Sequence, residues 1–386
     1  MAAGILLWLG LGWCATTMVV QWLSAGLGRR KRQVVPPRHG AADFSIVAPM
    51  AGAHDASEAY VQSLAELARN GAEIVICVTS AEDAAVARTR SHWPDAPILI
   101  GSDDTFNPKL NNVRKGLEAA SRPVVALCDA GILLTLADLG AAAAQLSDEV
   151  GLVLALKAGD RPENFAGEME CAYINGHQAR FLMAADRLGM PVASGGVTIL
   201  TRDVLQRIGV HEGFLNYLAD DYSVVRTVRD RVARTTWLAN VMPRLAVGAR
   251  RWPDIWRRQV RWGSTRLKLT HAVRALVLLE PAIGWLASAI AAVVASAAAG
   301  IAPAYMPLVV LVHAIVWFSA EAWFLSAYHL PFGPRAWLAA WAREILMPLL
   351  AAQAWLGRNR IDWRGTDLAA GWRPARDDAA GRRVSG

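Results

Sequence analysis

The chain has 386 residues, of which 54% are hydrophobic, and its mean hydropathy of +0.25 is high for a soluble protein. Its four cysteines show no CxxC pair and no disulfide-like spacing, which argues against a disulfide framework and favours a reducing, cytosolic setting. The net charge of +7 fits an anionic partner: a membrane surface, nucleotide phosphates or nucleic acid.

The first apolar stretch, Ala2–Leu27, carries no charge and is long enough to cross about 30 Å of hydrocarbon as a helix. Arg29-Arg30-Lys31-Arg32 follows it directly. A secretory signal carries its charge before the apolar run, so this order favours a retained anchor over a cleaved leader. The positive-inside rule then predicts that the next domain faces the cytoplasm. In a bacterium, the membrane concerned would be the inner membrane.

A soluble middle follows a linker that contains Pro36-Pro37, and it alternates short β-branched runs with Ala-rich helical patterns. This alternation predicts a mostly parallel sheet covered on both faces, with ligands beyond the carboxyl ends of its strands. The predicted strands are Phe44–Ala48, Glu73–Val78, Pro97–Gly101, Val124–Cys128 and Val150–Ala155. The predicted helices are Ala56–Asn70, Ala81–Arg90, Val113–Ala120 and Leu136–Leu146.

A second hydrophobic block contains two candidate membrane spans, Ala275–Ala298 and Pro303–Ala327. Each contains a glutamate, and such intramembrane carboxylates usually face protein or water. A third stretch, Ala336–Leu356, includes Arg343 and Glu344, which favours an interfacial or re-entrant helix. Two spans would return the basic tail to the cytoplasmic side.

Acidic residues follow the predicted strands at two places. Asp129 stands at the tip of the strand Val124–Cys128, where a carboxylate can meet a ligand or a metal bound to diphosphate oxygens, although a helix cap or turn is an equal alternative. Asp83 follows Glu73–Val78 more distantly and could simply charge the first turn of a helix.

The adjacent carboxylates of Asp220 and Asp221 repel each other, so one of them can have a raised pKa and act as a general base. A solvated acidic pair is the alternative. Further on, Arg258 and Arg261 are three residues apart, on one face if the segment is helical, and Trp262 can stack on a sugar. Arginines beside a membrane also commonly bind lipid head groups.

The polar segment NPKLNN, residues 107–112, reads as a loop before a helix. Lys109 in it can reach a phosphate, and asparagines such as Asn111 can hydrogen-bond a base or position the backbone.

Taken in order, these motifs resemble the ceramide glucosyltransferase family, a membrane branch of the inverting GT-A glycosyltransferases, and are also similar to hopanoid glycosyltransferases. The resemblance runs from about residue 44 to 268. It rests on NPKLNN (107–112), CDAGI (128–132), LADDY (218–222) and RQVRW (258–262), and the terminal NRIDWRG (359–365) is similar to the family's tail. RQVRW matches the signature of enzymes that glycosylate lipids or growing polysaccharides.

The resemblance implies a role for each matching residue. Asp83 is expected near the nucleotide, Asp129 near the diphosphate and its metal, and Asp221 is the expected catalytic base. The residues implied in donor binding are Lys109, Asn111, Arg258, Arg261 and Trp262. His177, in a His-x-x-Arg-aromatic element, and Asp220 are similar to residues expected near the acceptor.

The implied reaction is inverting transfer of a hexose from a UDP-sugar, with a divalent metal, Mg²⁺ or Mn²⁺, to the hydroxyl of a membrane lipid, most simply ceramide. The implied partners are therefore the donor, the lipid acceptor and the bilayer, and not nucleic acid. A hopanoid acceptor, a processive polysaccharide synthase and a non-catalytic membrane scaffold are the alternatives. The expected organisation is an anchor (1–28), a basic, Pro-containing linker (29–42), a GT-A catalytic domain (43–268), a membrane region (269–357) and a cytoplasmic tail (358–386).

Three departures from the family pattern bear on the donor and the metal. Ala48-Pro49-Met50 stands where Lys-Pro-Leu is usual, and Ala84 stands where proline usually follows the first aspartate. CDAGI lacks the second acid of a DxD motif, so we expect modest metal affinity. The first two departures leave the identity of the donor sugar open.

Overall fold

The computed structural model describes residues 1–101, 108–210, 219–232, 235–357, 361–363 and 366–367. The strands are β1 Phe44–Pro49, β2 Glu73–Val78, β3 Ile98–Ile100, β4 Val124–Cys128, β5 Ile132–Leu133, β6 Val150–Leu156, β7 Ala158–Pro162, β8 Gly196–Thr201, β9 Thr235–Leu238, β10 Arg244–Gly248, β11 Asp362–Trp363 and β12 Thr366–Asp367. The helices are α1 Ala2–Arg29, α2 Glu58–Arg69, α3 Ala84–His92, α4 Pro108–Ala119, α5 Leu136–Ala143, α6 Phe165–Cys171, α7 Arg180–Arg187, α8 Arg202–Ile208, α9 Asp220–Thr227, α10 Trp252–Leu267, α11 His271–Ile283, α12 Trp285–Ala298, α13 Met306–Ser326 and α14 Pro334–Leu356.

A seven-stranded sheet with the order β3-β2-β1-β4-β8-β6-β9 forms the centre of the soluble part. Strands β1, β2, β3 and β4 pair in parallel, as the sequence predicted, and β6 pairs in parallel with β9, a strand that was not predicted. The strand β8 runs antiparallel to both β4 and β6 and was not predicted. Because β8 reverses direction between them, β4 and β6 point the same way and their carboxyl ends lie at one edge.

Both faces of this sheet are covered, because alternate residues of each strand contribute to two different hydrophobic cores. In β1, Ile46 belongs to the core on one face and Val47 to the core on the other, and both side chains are fully buried. A smaller sheet with the order β5-β10-β7 lies beside it. The predicted α/β fold is confirmed.

Within the described residues, two helices are long and apolar enough to cross a membrane, Ala2–Arg29 and Pro303–Ser326. The span predicted at Ala275–Ala298 is not one helix. It is divided at Gly284 into α11 and α12, and the two parts pass the same test only together, with a bend of 43°. Helix α14 is 23 residues long and does not pass this test, so its membrane position stays a prediction.

Helix α1 packs between α12 and α13, and its polar contacts fix the direction of both. Gln21 Nε2 donates to the carbonyl of Trp317, and Arg29 Nη1 donates to Ser326 Oγ at 2.7 Å, so α13 runs parallel to α1. Towards α12 the order is reversed: Thr17 meets Ser288, whereas Gly10 lies against residues 291 and 295. Helix α12 therefore begins on the side where α1 ends and runs away from it, and α13 runs back to that same side.

The glutamates of the hydrophobic block are paired, as their cost in an apolar medium requires. Glu321 of α13 accepts two hydrogen bonds from Arg343 of α14, at 3.0 and 2.8 Å, and both residues are buried. Arg343 also donates to the carbonyl of Ala172 at 2.6 Å, which joins α14 to the π-helical segment Ala172–Ala179 between α6 and α7. Glu280 pairs with Arg266 of α10.

The predicted linker has no regular secondary structure from residue 30 to 40, yet it contacts the soluble part of the chain. Arg32 Nη2 donates to Asp186 Oδ2 at 2.9 Å, and its guanidinium lies 4.0 Å from the centre of the Trp237 ring. The domain boundaries stay predictions, and the tail after residue 367 lies outside the described residues.

Candidate active site

Two charged residues stand just beyond the carboxyl ends of the central strands. Asp129 follows β4, as the strand-end rule predicted, and Lys157 follows β6. The first residue of β8, Gly196, pairs with Leu156, and the preceding Gly195 lies between the two charged side chains. A Cβ atom on Gly195 would lie 2.8 Å from Asp129 Oδ2 and 3.9 Å from Lys157 Nζ. The absence of a side chain at this position therefore lets Asp129 and Lys157 face the same space.

A lysine side chain connects the acidic residue after β4 with the adjacent acidic pair at the start of α9. Lys109 Nζ donates to Asp129 Oδ1 and to Asp220 Oδ2, each at 2.7 Å, and the side chains are about a fifth exposed. The prediction that residues 107–112 form a loop is wrong in part, because residues 108–112 already belong to the first turns of α4. Pro108 is the first residue of this helix, a position that proline favours. Asn107 lies outside the described residues.

These contacts set the charge of the cluster. Although burial acts against the charged form, the neighbouring ammonium groups of Lys109 and Lys157 hold the pKa of Asp129 below its usual range. Burial also acts against the ammonium of Lys109, but the carboxylates of Asp129 and Asp220 raise its pKa well above the usual value. Asp129 is therefore an anion and Lys109 a cation at neutral pH.

Asp221 differs from its neighbours. Its pKa is raised to about 6, first by burial and second by the adjacent Asp220 carboxylate, against the opposing effect of Lys109. Its Oδ1 accepts the backbone N–H of Tyr222 at 2.9 Å in the first turn of α9. A carboxylate with this pKa is ionised at pH 7 and can accept a proton, which is what a general base needs.

Asp83 is the N-cap residue of helix α3. Its Oδ1 accepts hydrogen bonds from the backbone N–H of Ala85 at 2.8 Å and of Gly52 at 2.7 Å. The bond from Ala85 caps the helix, as the alternative expected, and the bond from Gly52 to the same oxygen ties the loop after β1 to the loop after β2. None of the described residues donates to Asp83 Oδ2, so a contact of this oxygen with a nucleotide stays a prediction.

The RQVRW motif lies in α10, so Arg258 and Arg261 share one helix face as predicted. Arg258 pairs with the fully buried Glu170 of α6. Trp262 is half-buried against the core of the sheet, and the Lys157 ammonium lies 5.4 Å from the centre of its ring. The motif is therefore connected to the strand ends through Lys157.

The asparagines of α4 are almost fully buried. Asn112 Nδ2 donates to the carbonyl of Met50 at 3.3 Å, so it holds the loop after β1 against α4. Asn111 is 2% exposed and also has polar contacts. A base-binding role for Asn111 stays a prediction.

His177 lies on the π-helical segment, on the side of the domain that faces the membrane helices. Its ring packs edge-on against Phe181, with centres 5.3 Å apart. Burial and then the positive charge of Arg343 lower its pKa well below the usual value, so the ring is neutral at pH 7. Its neighbour Arg180 is 1% exposed and bonds to Ser24 of α1, which gives that part of the predicted acceptor element a structural role.

The donor set for a divalent metal is small. Among the residues that the structure describes there is no group of three or more His, Cys, Asp or Glu side chains arranged to hold a metal ion. Asp129 offers one carboxylate, and its Oδ1 already accepts from Lys109. Mg²⁺ often binds through one carboxylate with water and substrate phosphates as the other ligands, so Asp129 Oδ2 fits a metal that arrives with a diphosphate.

Three residues of the site were missed by the sequence prediction: Lys157, Gly195 and Glu170. Lys157 directly follows the observed strand β6 and lies two residues after the end of the predicted strand Val150–Ala155, so the strand-end rule applies to it as well. Gly195 could have been found only with knowledge of β8. Glu170 lies in a helix with no distinguishing pattern, and its pairing with Arg258 depends on the tertiary fold.

The fold and the order of charged motifs along it define the class as a membrane-associated glycosyltransferase with a GT-A fold. Residues 9–375 match Glycosyl transferase family 21, and the chain belongs to this family. It is 24% identical to ceramide glucosyltransferase 3 of Caenorhabditis elegans over 343 residues, which cover 85% of this chain and 72% of the relative. It is 25% identical to ceramide glucosyltransferase 1 of the same organism, over 48% of this chain and 42% of that one.

The fold also resembles that of a solved structure, the mannosyltransferase PcManGT from Pyrobaculum calidifontis in complex with GDP-Man and Mn²⁺. The TM-score is 0.50 at 17% identity, and the match covers 85% of this chain and 97% of the mannosyltransferase. This likeness confirms the GT-A fold that the motifs predicted.

Proposed function

We propose that this protein transfers a hexose from a UDP-sugar, with inversion, to the hydroxyl of a membrane lipid, and that ceramide is the acceptor. The observation that carries the proposal is the position of Asp221. Its carboxylate, with a pKa of about 6, lies next to Asp220, which Lys109 ties directly to the strand-end Asp129. A base and an anion-binding edge are thus held together, as a displacement at an anomeric carbon requires.

In the proposed reaction, Asp221 takes the proton from the lipid hydroxyl as its oxygen attacks the anomeric carbon. The bond from that carbon to the nucleoside diphosphate breaks, and an α-linked donor gives a β-linked product. Arg258 and Arg261 neutralise the charge that develops on the leaving diphosphate. A divalent metal held by Asp129 would add positive charge at the same oxygens when bound.

The membrane helices support a lipid acceptor. They pack directly on the domain, through Arg180 with Ser24 and through Arg343 with Ala172, so a two-chain lipid could present its head group without leaving the bilayer. The cluster Arg29–Arg32 at the end of α1 favours a cytoplasmic position for the domain. The ceramide acceptor and the glucose donor are supported by the names of the relatives and by the RQVRW match.

The test is a matrix of donors and acceptors. Purified protein in lipid–detergent micelles is incubated with ceramide, a hopanoid polyol or diacylglycerol, each against a panel of UDP-sugars, and products are identified by mass spectrometry. We expect a hexosylceramide from UDP-glucose, and no product from the Asp221→Asn variant, which should still bind UDP. Transfer to the hopanoid alone would replace the acceptor, and turnover by Asp221→Asn above about 1% of wild type would contradict the base assignment.

A further inference from the structure

The structure assigns a further donor-binding residue: we propose that Lys157 binds the diphosphate of the nucleotide sugar. This inference deepens the proposed function and rests on it. Lys157 belongs to none of the four motifs that carry the family resemblance.

The position of Lys157 is that of a ligand-binding residue. It directly follows β6, whose carboxyl end lies at the same edge of the sheet as that of β4, and one glycine separates its ammonium from Asp129. In an α/β sheet this edge is where ligands bind. Its side chain is 17% exposed, so most of its hydration is lost while an opening towards the site remains.

The charge of Lys157 is poorly compensated within the protein. The nearest carboxylate oxygen, Asp129 Oδ2, is 4.0 Å from Nζ, at the limit of an ion pair, and Asp129 already accepts a 2.7 Å bond from Lys109. No described residue accepts a hydrogen bond from Lys157 Nζ. By contrast, Lys109 has two close acids and Arg258 has Glu170. Compared with Lys109 and Arg258, Lys157 therefore keeps more of its hydrogen-bond donors available for an anion.

A second contact keeps this ammonium in place. It lies 5.4 Å from the centre of the Trp262 ring, within the range of a cation–π interaction. The contact connects Lys157 with the RQVRW helix, where Arg258 adds a second positive charge. Burial lowers the pKa of Lys157, and the positive charges of Arg258 and Lys109 act in the same direction, whereas the Asp129 carboxylate opposes them. An anion between these cations would relieve their mutual repulsion, and in a UDP-hexose, the donor of the proposed function, the anionic group is the diphosphate.

The test compares binding of UDP and of uridine by isothermal titration calorimetry, with the full chain in detergent and Mg²⁺ present. The variants are Lys157→Met, which keeps the length of the apolar stem, Lys157→Arg, which keeps the charge, and Lys115→Met, an identical change at an exposed position of α4. We expect Lys157→Met to raise the Kd for UDP by about 10- to 100-fold, as removal of a charged hydrogen bond does. The Kd for uridine should change by less than about twofold, because uridine has no phosphate.

The other two variants complete the expected result: Lys115→Met should bind UDP like wild type, and Lys157→Arg should recover most of the affinity. An unchanged Kd for UDP in Lys157→Met would overturn the assignment and leave the proposed function intact. Equal losses for UDP and uridine would also overturn it, because they would indicate a disrupted site. A wild-type chain that binds no UDP would overturn the proposed function and this inference with it.

Discussion

The raised pKa of Asp221 makes the rate depend on pH in a definite direction. The proposed base acts only when ionised, and its pKa of about 6 lies above the usual range because of burial and the Asp220 carboxylate. Below pH 6 most molecules carry a protonated Asp221 and are inactive. We therefore expect kcat/KM to rise with pH through about 6 and to level off above it, measured as initial rates of lipid glycosylation from pH 5 to 8.

The Asp220→Asn variant tests the cause of that profile. Removing the Asp220 charge lowers the pKa of Asp221, so the rising limb should move to lower pH, whatever happens to the plateau rate. A limb that stays in place would mean that another group controls it. A wild-type profile that is flat from pH 5 to 8 would contradict the base assignment itself.

Gly195 offers a second test at the scale of one residue. The Cβ of Gly195→Ala would stand 2.8 Å from Asp129 Oδ2, so the carboxylate must move although Lys109 holds its other oxygen. A displacement of this kind can reduce catalysis by about 100-fold. We expect at least a tenfold loss of transfer rate with an unchanged melting temperature. The control is Gly40→Ala, where the new methyl group meets open space, and equal rates in the two variants would contradict the geometry.

The sequence predicts some of these residues for a physical reason and cannot predict others. Asp129 was found because a buried run that ends in an acid places that acid at a strand end. Lys157 also follows a strand, but its proximity to Asp129 depends on the order of the sheet, in which only β8 separates β6 from β4. Sheet order is not a local property of the sequence. The raised pKa of Asp221 was anticipated from the repulsion of adjacent carboxylates, whereas the bridging contacts of Lys109 are tertiary.

Among elements, the packing of α13 and α14 depends on one buried arginine. Arg343 is fully buried and bonds to Glu321, Glu344 and the π-helical segment. Arg343→Met leaves two buried glutamates without their cation, which typically costs about 3–5 kcal/mol. We expect a correspondingly lower free energy of unfolding and a lower melting temperature for the purified protein in detergent.

Arg335→Met is the matched control for this prediction, because Arg335 is an exposed residue of the same helix. Adding Glu321→Gln to Arg343→Met should restore part of the stability, since one of the uncompensated charges is then removed. If Arg343→Met were no less stable than Arg335→Met, the cluster would not hold α14 in place.

Local patterns predicted the elements whose signals are local. The strands β1, β2, β4 and β6 were found from buried β-branched runs, with bounds that differ by one residue or less. Strand β8 was missed although Val197–Thr201 is a β-branched run of the same kind, so its local signal was present and was not used. The start of α4 was placed too late because asparagines usually mark loops, whereas here their side chains are buried in packing contacts.

On the scale of the whole molecule, the domain and the membrane helices form one packed unit. The basic residues that follow the apolar stretch of α1 predicted a membrane anchor, and the hydropathy of the later apolar block predicted two further spans. Hydropathy could not predict the bend at Gly284, which divides α11 from α12, because it depends on packing against α14: Glu344 accepts the backbone N–H of Trp285 at 2.9 Å. A hydropathy profile of the sequence contains no information on such a tertiary contact.

This packing predicts that the soluble part of the chain cannot be separated from helix α1. Deletion of residues 1–28 removes Ser24 and Gln21, the α1 partners of the buried Arg180. Of the hydrogen bonds that this guanidinium makes with described residues, only the one to the Gly176 carbonyl then remains, and a buried charge that loses its partners typically costs several kcal/mol. We expect the shortened chain to aggregate in size-exclusion chromatography in the detergent that keeps the full chain monodisperse. Leu9→Ala, a change at a 67% exposed position of α1, should behave like the full chain. A monodisperse shortened chain that binds UDP with the affinity of the full chain would contradict this dependence.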